Sequence, residues 1–390
     1  MAADPTVTLS LSMESSFAKT TWNTKYGRLT HYLSPNPWVG ALLFAFVAIL
    51  FRYRLGAKGR LVDMRASPDT RAMRATYEKI INEFLRDISF KPPTPVCTQE
   101  LRRRVKMRLR QQGVSEADLE GIQGPISTGV KITSFSYPYV SLDAQEYIAC
   151  YAAYVISIDD LTRELAGDLR AFATRLALGQ PHGSSLLRGF TSYLGEQGRV
   201  FGPFGGDMVI KGTLEFISST GVEEIPPESL HLPPEAADFL NFFRAKTGVA
   251  EPFAFFFFPE DILPESTSLE RYVAAVPSIM LLLGYINDIL SFYKEEVVAA
   301  AAAAAAAQDD SASFIRSHSK LHGISTLESL RRTKVETVQV VEKLRGIFAE
   351  DKVLLGYMDQ FVQGYVMYHL SCNRYKLGEL DIPLMQTCRA

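Results

Sequence analysis

Residues 282–296 read L-L-G-Y-I-N-D-I-L-S-F-Y-K-E-E, from Leu282 to Glu296. Within this stretch Asn287, Ser291 and Glu295 recur at every fourth position. A helix turns about 100° per residue, so each such step drifts by only about 40° and the three side chains share one face. An amide oxygen, a hydroxyl and a carboxylate make a hard-oxygen set, which suits Mg2+. Residues 273–286 before it are strongly apolar, so the polar stripe sits on a buried helix rather than a solvated one. Lys294 stands beside the stripe and is suited to hold a phosphate oxygen as a point charge.

A second acidic group lies upstream. The apolar helical pattern Tyr147–Ile158 ends in Asp159-Asp160, with Arg163 and Glu164 just beyond. Two adjacent carboxylates at the end of a buried helix are costly unless neutralised, and a divalent cation neutralises them. Asp160 and Glu164 are four residues apart, so Glu164 either faces the same way on a continuous helix or pairs with a neighbouring base such as Arg163.

The pattern around these two motifs is helical. Arg74–Ile88, Asp143–Leu165, Pro234–Lys246, Leu269–Glu296, Thr326–Glu350 and Lys352–Leu377 carry apolar residues at three- and four-residue spacing. Pro and Gly cluster between them. No run of alternating strands with hairpin turns stands out. Phe253–Phe258, bracketed by Pro252 and Pro259, reads as a buried helical break. The expected fold is all-α, with one domain over residues 71–390 and a low-complexity insertion at 299–313 that contains nine alanines, Ala299–Ala307.

Residues 1–70 read as a separate N-terminal extension. Positions 1–36 are rich in Ser, Thr, Asn and Pro. An apolar run of 14 residues, Trp38–Phe51, follows, and Arg52, Arg54, Lys58 and Arg60 come after it. As a helix that run covers roughly 21 Å, short of the roughly 30 Å of a bilayer core. Packing on the main domain and contact with a membrane both remain open for it.

Composition narrows the function. Apolar residues make up 47% of the 390, enough for a large core, and aromatics make up 11%, which also suits the wall of a pocket for a greasy cation. Net charge is −2, with 41 basic and 43 acidic residues, so nothing argues for nucleic acid. Cys97, Cys150, Cys372 and Cys388 form no C-x-x-C pair, which fits a reducing, cytoplasmic compartment. The basic run Arg102–Arg110 reads as a solvated helix face. His318 and His322 are four apart but have no third ligand nearby.

The two motifs together resemble those of class I terpene cyclases. The string S-F-Y-K-E at 291–295 is similar to that of the fungal trichodiene synthase family, which includes longiborneol-type cyclases. F-R-A-K-T-G at 243–248 places Arg244 43 residues before Asn287, where that family keeps a diphosphate-sensing arginine. G-Y-V-M-Y-H-L-S-C-N-R-Y at 364–375 resembles the family's late helix ending in Arg-Tyr. The likeness runs from about residue 70 to about residue 380.

The resemblance implies a helical bundle with a central active-site cavity and an Mg2+-dependent reaction with three ions. It implies Asp159, Asp160, Asn287, Ser291 and Glu295 as metal ligands. Arg244, Lys294, Arg374 and Tyr375 are implied to bind the diphosphate, with Asp159, Arg244 and Tyr375 catalytic and Tyr368 lining the cavity. The implied partner is a small isoprenoid diphosphate, farnesyl diphosphate, ionised and then cyclised to a C15 product. Two departures bear on that product. Arg163 takes the place of a third acid, and Asn373-Arg374-Tyr375-Lys376 lacks the family's preceding Asp-Arg. A coupling prenyltransferase and an inactive isoprenoid-binding protein are the alternatives, and a homodimer is left open.

Overall fold

The computed structural model describes residues 8–14, 17–24, 27–33, 68–94, 97–223, 233–236, 238–299 and 313–383. The chain divides into two compact units, Met1–Ser67 and Pro68–Ala390. The first contains a three-stranded antiparallel meander of β1 (Thr8–Glu14), β2 (Phe17–Thr24) and β3 (Gly27–Leu33). Thr8 pairs with Asn23, and Ala18 with Leu33. These strands were not assigned from the sequence, although T-L-S-L-S-M-E carries the period-two alternation of a strand. The apolar run 38–51 and positions 300–312 of the alanine-rich insertion lie outside the described residues.

In the second unit every described element is helical. The first helices are α1 (Pro68–Asp87), α2 (Gln99–Gln111), α3 (Glu116–Gly121), α4 (Gln123–Ser136) and α5 (Leu142–Asp160). There follow α6 (Thr162–Arg170), α7 (Phe172–Leu178), α8 (Ser185–Leu194), α9 (Pro203–Glu223) and α10 (Asp238–Thr247). The last are α11 (Ala250–Phe255), α12 (Glu265–Tyr272), α13 (Val276–Phe292), α14 (Phe314–His322), α15 (Thr326–Ile347) and α16 (Lys352–Ser371).

Serine and aspartate caps set several starts. Ser141 Oγ accepts from Ala144 N at 3.2 Å, Ser325 Oγ from Glu328 N at 3.1 Å, and Asp351 Oδ1 from Leu354 N at 3.1 Å. Helices α5 and α13 form the centre. Both are apolar almost all round, as core helices are; Tyr147–Val155 is wholly buried, as are Leu282, Leu283, Ile286, Ile289 and Leu290. Tyr77 of α1 donates to the Ile289 carbonyl at 2.9 Å and pins α1 to the central helix. Phe253–Phe258 is buried throughout, ending α11 in a turn.

Three expectations need correction. The helix expected over 143–165 breaks at Leu161 (φ −114°), where the Thr162 hydroxyl donates to the Ile158 carbonyl at 2.9 Å and competes with the helical ladder. Glu164 therefore belongs to a new helix, α6, and is exposed there. The helix over 269–296 is interrupted by a 3-10 turn at Val273–Ala275 and widens into a π-turn at Tyr293–Val298. Finally, the helix expected over 352–377 ends at Ser371, where Cys372 is extended (ψ 123°), and Arg374 and Tyr375 lie on a separate 3-10 turn. The basic run in α2 is a partly exposed face whose charges are paired. Arg104 pairs with Asp143 and Glu146, Arg108 with Glu146 and Glu196, and Arg110 with Glu116.

Candidate active site

Helix α13 presents Asn287 and Ser291, and the π-turn that follows presents Glu295. A π-turn rotates less per residue than an α-turn, since its bonds span i to i+5. The last four-residue step therefore drifts less, which brings Glu295 nearer the line of Ser291. Glu296, its neighbour, turns away and accepts from Arg316 at 2.9 Å and Ser313 at 2.6 Å. Glu295 acts electrostatically on Asp288, Arg244 and Tyr375, which places its carboxylate on the site side.

Arg244 of α10 reaches the same helix. Its Nε donates to Asp288 Oδ1 at 2.8 Å and its Nη2 to Asn287 Oδ1 at 2.9 Å. Gly248 makes room for it, since a Cβ there would lie 2.4 Å from Arg244 Nη1. The pair is largely shielded from water, with Arg244 19% and Asp288 6% exposed. Burial pushes the Asp288 carboxyl up to about 6, while Arg244 opposes the rise and Glu295 adds to it.

Asn287 is held from the other side as well. Its Nδ2 lies 3.1 Å from His369 Nε2 and donates to Tyr375 Oη at 3.3 Å. Tyr375 and Tyr368 share a hydrogen bond of 3.2 Å. Both tyrosines are buried, and their rings meet edge to face, with centroids 5.8 Å apart and planes at 87°.

Arg374 faces the acidic pair. Its Nη1 donates to Asp160 Oδ1 at 2.9 Å and its Nη2 to Asp159 Oδ2 at 3.3 Å. The Asp159 side chain is 58% exposed, yet the surrounding protein raises its pKa above the ordinary aspartate range. Arg374, Lys294 and Arg244 pull the other way and Asp160 pushes with it. The electrostatics thus link Asp159 of α5, the base Lys294 beside the Asn287–Ser291–Glu295 stripe, and Arg244 of α10.

The donors fit a hard divalent cation. Ser291 Oγ and Asp288 Oδ2 are buried without a hydrogen-bond partner, and such orphaned oxygens are rare unless something else satisfies them. All the candidate ligands are oxygens, as Mg2+ requires. Among the described residues no three His, Cys, Asp or Glu side chains are gathered in one place to hold a metal, at this site or elsewhere.

Two recesses flank α10. One of about 270 Å3 is lined by Arg244, Met280, Gly284 and Tyr285. The other, about 740 Å3, is lined by Leu214, Val222, Phe239 and Phe243 and touches neither Asp159 nor Asn287, so we do not assign it to substrate.

A family model described as trichodiene synthase (TRI5) matches residues 103–382. The chain belongs to the trichodiene synthase family. It is a terpene synthase, an enzyme of the lyase class. An (E)-beta farnesene synthase of Metarhizium brunneum is 33% identical to it over 322 residues, 83% of this chain and 95% of that protein. The longiborneol synthase CLM1 of Gibberella zeae is 21% identical, covering 80% of this chain and 89% of its own length. The solved linalool/nerolidol synthase of Streptomyces clavuligerus shares the fold, with a TM-score of 0.51 at 11% identity over 72% of this chain and 99% of that one.

Three residues around the site of this terpene synthase were not singled out from its sequence. Asp288 anchors Arg244, and its signal was an acid inside an apolar helix. Glu223 ends α9; it is reached by solvent, yet crowding by protein pushes its carboxyl up to about 7, with Asp159 adding to the rise and Arg244 opposing it. No sequence signal marks it. His369 is a fully buried histidine in the apolar helix α16.

Burial pushes His369 down to about 3. An unfolded chain takes up this proton from about pH 6.5 downward, whereas the folded chain refuses it until about pH 3. The contribution is therefore complete above pH 6.5 and is lost as pH falls. We expect unfolding free energy to fall between pH 6.5 and 4 by up to about 1.4 kcal/mol per pH unit from this residue. Carboxyls raised by burial, Asp288 among them, slope the opposite way. The decisive measure is thus the difference in denaturant unfolding between the parent and His369→Gln, and equal slopes would contradict the assignment.

Proposed function

We propose that this terpene synthase, in the cytoplasm, ionises farnesyl diphosphate with Mg2+, releases diphosphate and turns the allylic cation into a cyclic C15 terpene or terpene alcohol. One observation supports it most. A row of oxygen donors, with Ser291 Oγ orphaned and buried, runs from Asn287 to Glu295, and its neighbours Lys294 and Arg244 act on the arginine-paired Asp159.

Asp159, Asp160, Asn287, Ser291 and Glu295 would hold the metal, as three ions by the resemblance. When bound, Mg2+ supplies positive charge to the leaving diphosphate. Without ligand, the cations and the metal-binding groups neutralise one another: Arg374 holds Asp159 and Asp160, and Arg244 holds Asn287 and Asp288. Binding exchanges these partners. Arg244, Arg374, Lys294 and Tyr375 then turn to phosphate oxygens with charge-assisted or hydroxyl hydrogen bonds, and the planar forks of the arginines suit that task. Exclusion of water once the substrate fills the site protects the cation from quenching. Neither a homodimer nor a membrane contact of 38–51 is part of the proposal.

A second reading, a linear C15 product formed by proton loss before ring closure, is favoured by the 33% identity to a farnesene synthase. Incubation of the purified full chain with farnesyl diphosphate and Mg2+, followed by gas chromatography–mass spectrometry, separates the two. A cyclic product supports the first and a linear one the second, and either should vanish with a chelator. No diphosphate release from farnesyl, geranyl or geranylgeranyl diphosphate would overturn both.

A further inference from the structure

Mg2+ takes oxygen ligands, so Asn287 serves a metal only with Oδ1 turned toward it. An amide is nearly symmetric in shape, and its two ends exchange by a half-turn about one bond. Something must therefore hold the oxygen forward. In the ligand-free chain Arg244 does so, because a guanidinium only donates and its Nη2 meets Oδ1 at 2.9 Å. That restraint disappears once Arg244 turns to a diphosphate.

A second restraint lies behind the amide. His369 is fully buried on α16, with Nδ1 2.8 Å from the Tyr365 carbonyl oxygen. A carbonyl oxygen only accepts, so Nδ1 carries the proton. In the neutral ring Nε2 is then a bare lone pair, and it faces Asn287 Nδ2 at 3.1 Å. The ring packs against Tyr365, Tyr368 and Tyr375, aromatic surfaces with no carboxylate to stabilise an imidazolium. A lone pair at that point attracts the NH2 end of the amide and repels the oxygen end.

We infer that His369 is a positioning residue whose Nε2 lone pair fixes the Asn287 amide with its oxygen toward the metal, and that it keeps doing so after Arg244 leaves. The inference rests on the proposed role of Asn287 as a metal ligand. Groups that orient metal ligands typically contribute about 10- to 100-fold in metal affinity.

The test is a calorimetric titration of Mg2+ into the full chain in the presence of inorganic diphosphate, compared across four variants. Asn287→Ala should bind more weakly, and if its affinity equals the parent's, the metal role of Asn287 falls, whatever His369 does. With that control positive, His369→Phe, which keeps a ring and removes the lone pair, should weaken Mg2+ by about 10- to 100-fold. His369→Met fills the space with a flexible apolar chain and should do the same, so it stands in if the Phe variant fails to fold. His369→Gln restores an acceptor oxygen near the Nε2 position and should stay within about threefold of the parent. Turnover gives a second readout: the Mg2+ concentration for half-maximal rate should rise far more than KM for farnesyl diphosphate at saturating Mg2+. A folded Phe or Met variant that binds Mg2+ as the parent does, while Asn287→Ala does not, overturns the inference.

Discussion

Arg244→Ala is expected to lower turnover of farnesyl diphosphate by about 10²- to 10³-fold. Arg244 bonds directly to Asn287 of the polar stripe, and its fork joins two residues of α13 at 2.8 and 2.9 Å. Truncation also leaves Asp288 without its ion partner in a site where the carboxylate is 6% exposed. Breaking a buried pair this way costs about 3–5 kcal/mol, less whatever Asp288 recovers by taking up a proton, to which its raised pKa already inclines it. The two losses can be pulled apart. Arg244→Ala with Asp288→Asn removes both charges and should restore much of the stability while turnover stays low. Arg244→Lys keeps the charge without the fork, so it should recover more stability than activity. Full activity in Arg244→Lys would mean that the fork is not used on the diphosphate. Full activity in the Ala variant would remove Arg244 from the site altogether.

The same residues show how far the sequence could be read. Asn287, Ser291 and Glu295 could be picked out as a candidate stripe because a four-residue repeat sets side chains near one face of a helix. Arg244 was legible only through the resemblance: an arginine 43 residues upstream has no local rule connecting it to a helix it reaches across the fold. His369 did carry a signal, a polar ring in a run of buried apolar residues, yet its task depends on the tautomer that the Tyr365 carbonyl selects. The π-turn was out of reach, since the tertiary anchor of Glu296 on Arg316 accompanies it and helix propensity does not encode that. The break at Leu161 was missed because T-R-E-L-A-G-D-L-R continues the helical pattern, while the Leu161 backbone angle and the Thr162 hydroxyl bond that mark the discontinuity have no sequence signature.

Gly364→Ala is expected to be the most destabilising glycine-to-alanine change among the described residues. Gly364 lies where α16 crosses α4. A Cβ there would lie 1.7 Å from the Phe135 carbonyl oxygen, 2.4 Å from its carbon and 3.0 Å from the Ser136 Cα. All three are backbone atoms inside a helix, so no rotamer change relieves the overlap. The helices must separate, and the neighbours that move with Gly364 are Tyr365, Tyr368 and His369, the residues behind Asn287. Overpacking of this kind costs typically 1–3 kcal/mol and more where the backbone itself must shift, so we expect about 4 kcal/mol, a large part of the roughly 5–15 kcal/mol that holds a domain together. Gly356, two turns earlier on the same helix, has nothing within 4 Å of its Cβ position. Gly356→Ala should therefore stabilise by up to about 1 kcal/mol through helix propensity alone. The pair of variants has opposite signs on one helix, which isolates packing from propensity in a single thermal melt. If Gly364→Ala melts within about 2 °C of the parent, α16 and α4 are not in backbone contact at this crossing. If it melts low but a folded fraction survives at low temperature, that fraction should bind Mg2+ weakly, because His369 and Tyr375 will have moved away from Asn287.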